Sequence, residues 1–255
     1  MMPAALALSP HLDDAAFSCG GTLALLARAG WRVTMATLFT GSVSDPTGFA
    51  LACQTDKGLG PEVDYMALRR DEDRDAAQAL GIGPPRHLPF REAPHRGYAS
   101  APELFAEVRS DDGIVPDLTR ALADLIAETA PDLILAPQAV GGHVDHIQAV
   151  RALRDLAPDT PVLWWRDFPY TVRDVTPREP LRDGFSALPT LAVVFDAEAQ
   201  AAKRAACAAY ASQIGFQFGG ADNLAAQLAR EGGVERFRRA GALPPGLARL
   251  LGDAG

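Results

Sequence analysis

Basic residues are in deficit. Lysine and arginine number 24 against 32 aspartates and glutamates, giving a formal net charge of −8 and an isoelectric point near 5.1. That balance argues against a general nucleic-acid or anionic-membrane binder. Cysteine is scarce too: Cys19, Cys53 and Cys207 are odd in number and far apart. They fit neither a disulfide framework nor a thiolate metal site, and small buried thiols in a reducing compartment are expected. No apolar run approaches the roughly 18–20 residues that span a bilayer. Met1-Met2-Pro3 carries no basic segment, and the apolar run at 4–8 reaches Ser9-Pro10-His11 too soon for a secretory leader. A cytoplasmic chain with neither a nucleic-acid nor a membrane partner is expected.

What the chain does have is the alternation of an α/β protein. Its 255 residues, 48% hydrophobic, suffice for one large domain. Residues 4–8 read as a buried strand, 13–29 as a helix stopped by Gly30, and 31–39 as a second strand. This βαβ opening predicts a parallel sheet. Residues 40–64 read as a long loop, 65–80 as a helix, 87–90 as a short strand, and 91–112 as an irregular pocket wall. Helices over 118–129 and 144–156 bracket a strand at 132–136. Strands at 162–165 and 190–195 follow, then an Ala-rich helix over 197–212. Beyond Gly219 the chain reads as a polar tail anchored by Leu224, Leu228 and Phe237. No repeat or linker interrupts it, so a single domain over 1–255 is expected.

The chemistry gathers in two segments. Ser9-Pro10-His11-Leu12-Asp13-Asp14 follows the first strand, and Gly141-Gly142-His143-Val144-Asp145-His146 follows the strand at 132–136. Three of the five histidines lie here, each near a carboxylate. Imidazole and carboxylate at the carboxyl ends of neighbouring strands are what a divalent metal needs from a hydrolase. A helix starting near Leu12 offers free N–H groups and a positive dipole end to carboxylates. Adjacent helical residues point about 100° apart, so Asp13 and Asp14 do different jobs: one binds a metal, the other faces a water. The competing reading is simple helix capping. His143 and His146 share a helix face, and Asp145 can hold an imidazole N–H and fix its tautomer. Spacing does not decide which histidine binds a metal. The two glycines let the backbone bend close to a ligand.

Residues 10–14 resemble the His-Pro-Asp-Asp signature of the LmbE-like (PIG-L) zinc-dependent deacetylases, and 143–146 resemble that family's His-x-Asp-His motif. Arg69-Arg70-Asp71-Glu72 with Leu80-Gly81, and Lys203 with Ser212-Gln213, resemble its supporting features. The resemblance implies a Rossmann-like three-layer α/β fold with a mostly parallel sheet. It implies a metal-dependent hydrolase that removes an acetyl group from an N-acetylglucosamine-type substrate, a small N-acetylated amino-sugar conjugate. It implies His11, Asp14 and His146 as metal ligands and Asp13 as general base. His143 matches the group that stabilises the oxyanion or protonates the amine, and Asp145 the carboxylate that orients it. Zinc is the implied metal, with ferrous iron as the other candidate, and a homo-oligomer is compatible. Leu12 and Ala15 depart from the family's usual Pro and polar residue, which leaves the metal site intact.

Arg69 and Tyr170 are candidate substrate contacts, a guanidinium for hydroxyls or a carboxylate and an aromatic ring for a sugar face. For Arg69 the competing reading is a helix-surface residue paired with Glu72 or Asp73. Two other functions compete: a metal-dependent amidase for a non-sugar substrate, and a catalytically silent sugar-binding protein of the same fold. A dinucleotide-binding oxidoreductase is disfavoured because the first turn lacks G-x-G-x-x-G.

Overall fold

An apolar run without interruption is the pattern of a strand covered on both faces. Ala4–Ser9 forms such a strand, β1, buried throughout its length. The computed structural model describes residues 2–252; Met1 and 253–255, the ends of the expected single domain, lie outside the described residues. After β1 come α1 (Asp14–Arg28), β2 (Arg32–Thr37), α2 (Gly48–Thr55), α3 (Tyr65–Ala79) and β3 (Arg86–His87). A 3-10 turn (Ala93–Arg96), α4 (Ala101–Leu104), α5 (Val115–Thr129), β4 (Leu133–Pro137), α6 (Val144–Leu156) and β5 (Val162–Trp165) follow. The rest comprises α7 (Asp183–Ser186), β6 (Thr190–Val194), α8 (Ala197–Ala209), α9 (Ala211–Phe218), α10 (Ala221–Glu231), β7 (Val234–Ala240) and α11 (Pro245–Leu251).

Among the described residues these strands form one sheet in the order β3-β2-β1-β4-β5-β7-β6. Strands β1 to β5 pair in parallel, and β7 runs antiparallel to both its neighbours. Side chains alternate across the sheet with the strand period. Ala5, Ala7, Leu133, Leu135, Leu163 and Trp165 enter one core. Leu6, Leu8, Ile134, Ala136, Val162 and Trp164 enter the other. Helices α1, α3 and α8 cover the first face and α5 and α6 the second. This is the expected three-layer, mostly parallel fold.

The structure corrects several local readings. The loop over 40–64 contains α2. The strand at 87–90 shrinks to Arg86–His87, with only an isolated bridge from Phe39 to Pro89, whose ring nitrogen has no hydrogen to continue a ladder. The helix over 197–212 breaks at Tyr210. Beyond Gly219 there is no simple tail: β7 inserts between β5 and β6. Its inward face carries Glu235 beside Phe237, so the usual apolar alternation is missing. The buried Glu235 carboxylate accepts the Gly21 and Thr22 amides and the Thr22 hydroxyl, and it pairs with Lys203 at 2.8 Å. Those amides are released by a kink in α1 at Cys19, where φ is −138°.

Candidate active site

The strand order reverses between β1 and β4, and in open α/β sheets a crevice opens there at the carboxyl ends. His11 leaves the end of β1, the 141–146 segment follows β4, and Asp167 stands just past β5. Gly141 and Gly142 have φ of 99° and 79°, a region that favours glycine. A Cβ on Gly141 would lie 2.7 Å from the Tyr170 ring.

Asp13 occupies the N-cap position of α1 but bonds no helix amide. Ser9 Oγ accepts the Ala15 N–H instead, and Asp14 Oδ2 turns back to accept the His11 N–H at 2.7 Å. Asp13 is buried with φ of 154°, a setting seldom adopted outside glycine and concentrated at functional sites. Capping therefore does not account for Asp13.

Three atoms form a tight triangle. Asp14 Oδ2 lies 3.3 Å from His11 Nδ1 and 3.1 Å from His146 Nε2, and the two nitrogens are 3.3 Å apart. Ligand atoms about 2.0–2.2 Å from a tetrahedral ion sit roughly 3.3–3.6 Å from one another. The donor set and its spacing thus fit a divalent cation with little adjustment. His143 stands beside it, and the three imidazoles offer nitrogens within 4.8 Å of one another, a cluster able to hold a metal ion.

The second nitrogen of each histidine in the triangle meets a carboxylate. His11 Nε2 lies 2.9 Å from Asp145 Oδ2, and His146 Nδ1 lies 2.8 Å from Asp167 Oδ1. Such partners fix the tautomer and ring plane of a metal ligand. Arg96 binds the other oxygen of Asp145 at 2.7 Å and grips Asp112 with the same guanidinium. The expectation that the Asp145 carboxylate orients His143 is corrected: its oxygens are taken by His11, Arg96 and the Ala93 amide. The Asp145 backbone N–H meets His143, donating to Nδ1 at 3.2 Å and leaving Nε2 to carry the ring hydrogen.

The electrostatics divide the two aspartates. Burial, then the neighbouring Asp14 charge, pushes Asp13 up to about 7. Burial would raise Asp14 as well, but the His146 and His11 imidazoles hold it well below the usual carboxylate range. His11 is desolvated, yet Asp14 and Asp145 raise it to about 9. His143, with no carboxylate of its own, is pushed down to about 3 by burial and then by His11. It is a neutral imidazole at ordinary pH.

Arg69 is not a surface residue. It is buried, with Nη1 2.6 Å from Glu92, Nη2 2.9 Å from the Leu12 carbonyl and 3.5 Å from Asp13 Oδ2. Glu72, its alternative partner, accepts the Ser212 amide and hydroxyl instead, and Asp73 binds Tyr210 and His87. Arg69 and Tyr170 both line a cavity of about 360 Å³ that reaches Asp13 and the histidines.

Residues 6–157 match the family model described as PIG-L, GlcNAc-PI de-N-acetylase. The chain belongs to the PIG-L family. It is 36% identical to a 2'-N-acetylparomamine deacetylase of Streptomyces fradiae over 167 residues, which is 65% of this chain and 57% of that one. It is 32% identical over 154 residues to a 1D-myo-inositol 2-acetamido-2-deoxy-alpha-D-glucopyranoside deacetylase of Rhodococcus erythropolis, covering 56% and 49% of the two chains. These matches span about half the length of the curated relatives. The crystal structure of the zinc-inhibited form of a teicoplanin deacetylase superposes with a TM-score of 0.77 at 27% identity, covering 94% of this chain and 98% of that one.

The PIG-L match contains both motifs but ends before Asp167 and Gln217. Neither residue lies in the two motifs or their supporting features. Gln217, on α9, donates from Nε2 to Asp13 Oδ2 at 2.8 Å. Asp167 carried a faint signal, a carboxylate just past a strand at the sheet's carboxyl edge. Gln217 carried none. Arg96, in the irregular stretch read as a pocket wall, braces Asp145.

Proposed function

We propose that this PIG-L chain is a metal-dependent amide hydrolase that removes the acetyl group from an N-acetylated amino-sugar, working as one domain. The His11–Asp14–His146 triangle with Asp13 alongside carries this reading. His11, Asp14 and His146 would hold the ion, zinc or ferrous iron. A bound divalent ion supplies Lewis-acid polarisation of an amide carbonyl and lowers the pKa of water toward about 7. The deacetylase activities named for the relatives support the substrate class. The unpaired cysteines support a reducing, cytoplasmic setting; among the described residues, no helix is long and apolar enough to cross a membrane.

Asp13 takes the proton of the attacking water, with one oxygen held by Gln217 and the other open to the reaction. Burial holds Asp13 above the usual carboxylate range, which favours its taking that proton. As the water oxygen bonds to the acetyl carbon, the His143 Nε2–H donates to the oxygen that gains charge, worth a few kcal/mol in such sites, about 2–4. A neutral His143 cannot supply a proton at pH 7, so the protonated Asp13 returns its proton to the leaving nitrogen. The C–N bond breaks to amine and acetic acid, whose remaining proton passes to the amine at neutral pH, so amide plus water ends as ammonium plus acetate. Acetate release from a panel of N-acetylated amino-sugars, with metal-stripped and reloaded protein, tests the reading. Release that requires the metal supports it; turnover confined to non-sugar acetamides reassigns the substrate.

A further inference from the structure

Asp145 is fully buried, and a buried carboxylate needs a cation as well as hydrogen bonds. Among the described residues Arg96 supplies that cation, with Nη2 2.7 Å from Asp145 Oδ1. The same nitrogen lies 2.9 Å from Asp112 Oδ2, and Nε donates to Asp112 Oδ1 at 3.0 Å. One planar fork therefore spans two carboxylates, a geometry that a lysine ammonium does not reproduce. The Arg96 guanidinium also lies 4.9 Å from the centroid of the Phe39 ring, and Phe39 meets the His11 ring at 6.0 Å.

The stretch over 93–112 is fastened to α6 at both ends. At its start the Ala93 N–H donates to Asp145 Oδ2 at 3.1 Å. At its end Gln148 Nε2 donates to the Asp112 carbonyl at 3.1 Å. Asp145 and Gln148 lie on either side of His146 in sequence. Between the two ends, the Tyr98 hydroxyl donates to Asp112 Oδ2 at 3.0 Å and accepts the Arg109 amide at 3.2 Å. Pro94, Leu104 and Phe105 of the same stretch line the active-site cavity. Arg96 thus joins a cavity wall to the carboxylate that holds His11.

We propose that Arg96 is a positioning residue of the metal site, acting through Asp145 on His11, and that its clasp with Asp112 couples metal binding to the ordering of the cavity wall over 93–112. This deepens, and rests on, the metal-dependent hydrolase reading above. Without Arg96 the Asp145 charge stays buried with its cation removed, and the carboxylate no longer sits in one place behind the His11 ring. Coupling of this kind is reciprocal: whatever factor the closed wall adds to metal affinity, bound metal returns to the closed wall.

Zinc affinity by chelator competition, with hydrogen exchange of the zinc-free and zinc-loaded protein, tests this. Arg96→Met should lower zinc affinity about tenfold, the low end for a group behind a ligand. In wild type, zinc should slow exchange of the Ala93 and Arg109 amides by a similar factor; in Arg96→Met that slowing should vanish. Asp112→Asn, which keeps Arg96 and Asp145 in place and is milder for folding, should move both readings in the same direction. In Asp145→Asn protein, adding Arg96→Met should cost little further affinity, because the two act in series. Wild-type affinity in Arg96→Met or Asp112→Asn overturns the proposal. So does a full tenfold loss on top of Asp145→Asn. Zinc binding with the expected coupling but without acetate release upholds the clasp and overturns the hydrolase reading alone; a wild type that binds no zinc overturns both.

Discussion

The Asp145 carboxylate lies on His11, 134 positions earlier in the chain, with Oδ2 2.9 Å from Nε2. Its other oxygen is held by Arg96 at 2.7 Å. The element after β4 thereby sets the ring plane of a histidine that leaves β1, and the two halves of the proposed metal site become one unit. Asp145→Asn keeps the shape but weakens the grip on His11. Metal affinity should fall about 10- to 100-fold, as for other carboxylates behind histidine ligands. Competition with a chromophoric chelator measures it; unchanged affinity contradicts this role.

Asp167 holds His146 at 2.8 Å and also accepts the Val140 amide at 2.9 Å. Asp167→Asn should weaken metal binding by a similar factor of about 10–100. It should also loosen the 138–142 turn, which hydrogen exchange of the Val140 amide would report. Loss of protection without loss of affinity would confine Asp167 to the backbone.

Gly141 is required by geometry. Its φ is 99°, and a Cβ there would stand 2.7 Å from the Tyr170 ring. Gly141→Ala should cost about 2 kcal/mol or more through strain and displacement of the tyrosine. Urea denaturation of the metal-free protein checks this; a cost of only a few tenths contradicts the close approach.

Both motifs, the βαβ opening and the parallel sheet were legible because they depend on local order: apolar runs, then imidazole and carboxylate at strand ends. What escaped reading depends on partners far away in the chain. Gln217 reaches Asp13 across 204 positions and Arg96 reaches Asp145 across 49. Neither spacing leaves a periodic trace. Strand β7 escaped because its buried Glu235 replaces a hydrophobe, and that burial makes sense only with Lys203 and the kinked α1 in place. The pairing of Asp145 with His143 is what the family resemblance implies; in the structure α6 aims the carboxylate across the crevice at His11.

Glu231 should leave a signature in the pH dependence of stability. It pairs with Lys203 at 2.6 Å. Burial outweighs that pairing and, with the charge of Glu235, pushes it from 4.5 up to about 7. A carboxyl raised in the folded state binds its proton more tightly there than when unfolded. The stability this confers is complete below about 4.5 and disappears as pH rises through about 7. Between pH 5 and 8 the wild type should therefore lose roughly 1–3 kcal/mol relative to Glu231→Gln. Denaturant midpoints of the metal-free pair across that range measure the difference. A gap that stays flat or moves the other way contradicts it.

Metal content of chelator-stripped and reloaded wild type, Asp13→Asn and Asp14→Asn is the most direct measurement of all, read alongside acetate release. Asp14 belongs to the triangle and Asp13 does not. The wild type and Asp13→Asn should each retain about one ion per chain, and Asp14→Asn close to none. Asp13→Asn should nevertheless lose about 100- to 10,000-fold in turnover, the usual cost of removing a general base. An Asp13→Asn protein that sheds its ion, or an Asp14→Asn protein that keeps it, contradicts the division of labour between the two aspartates.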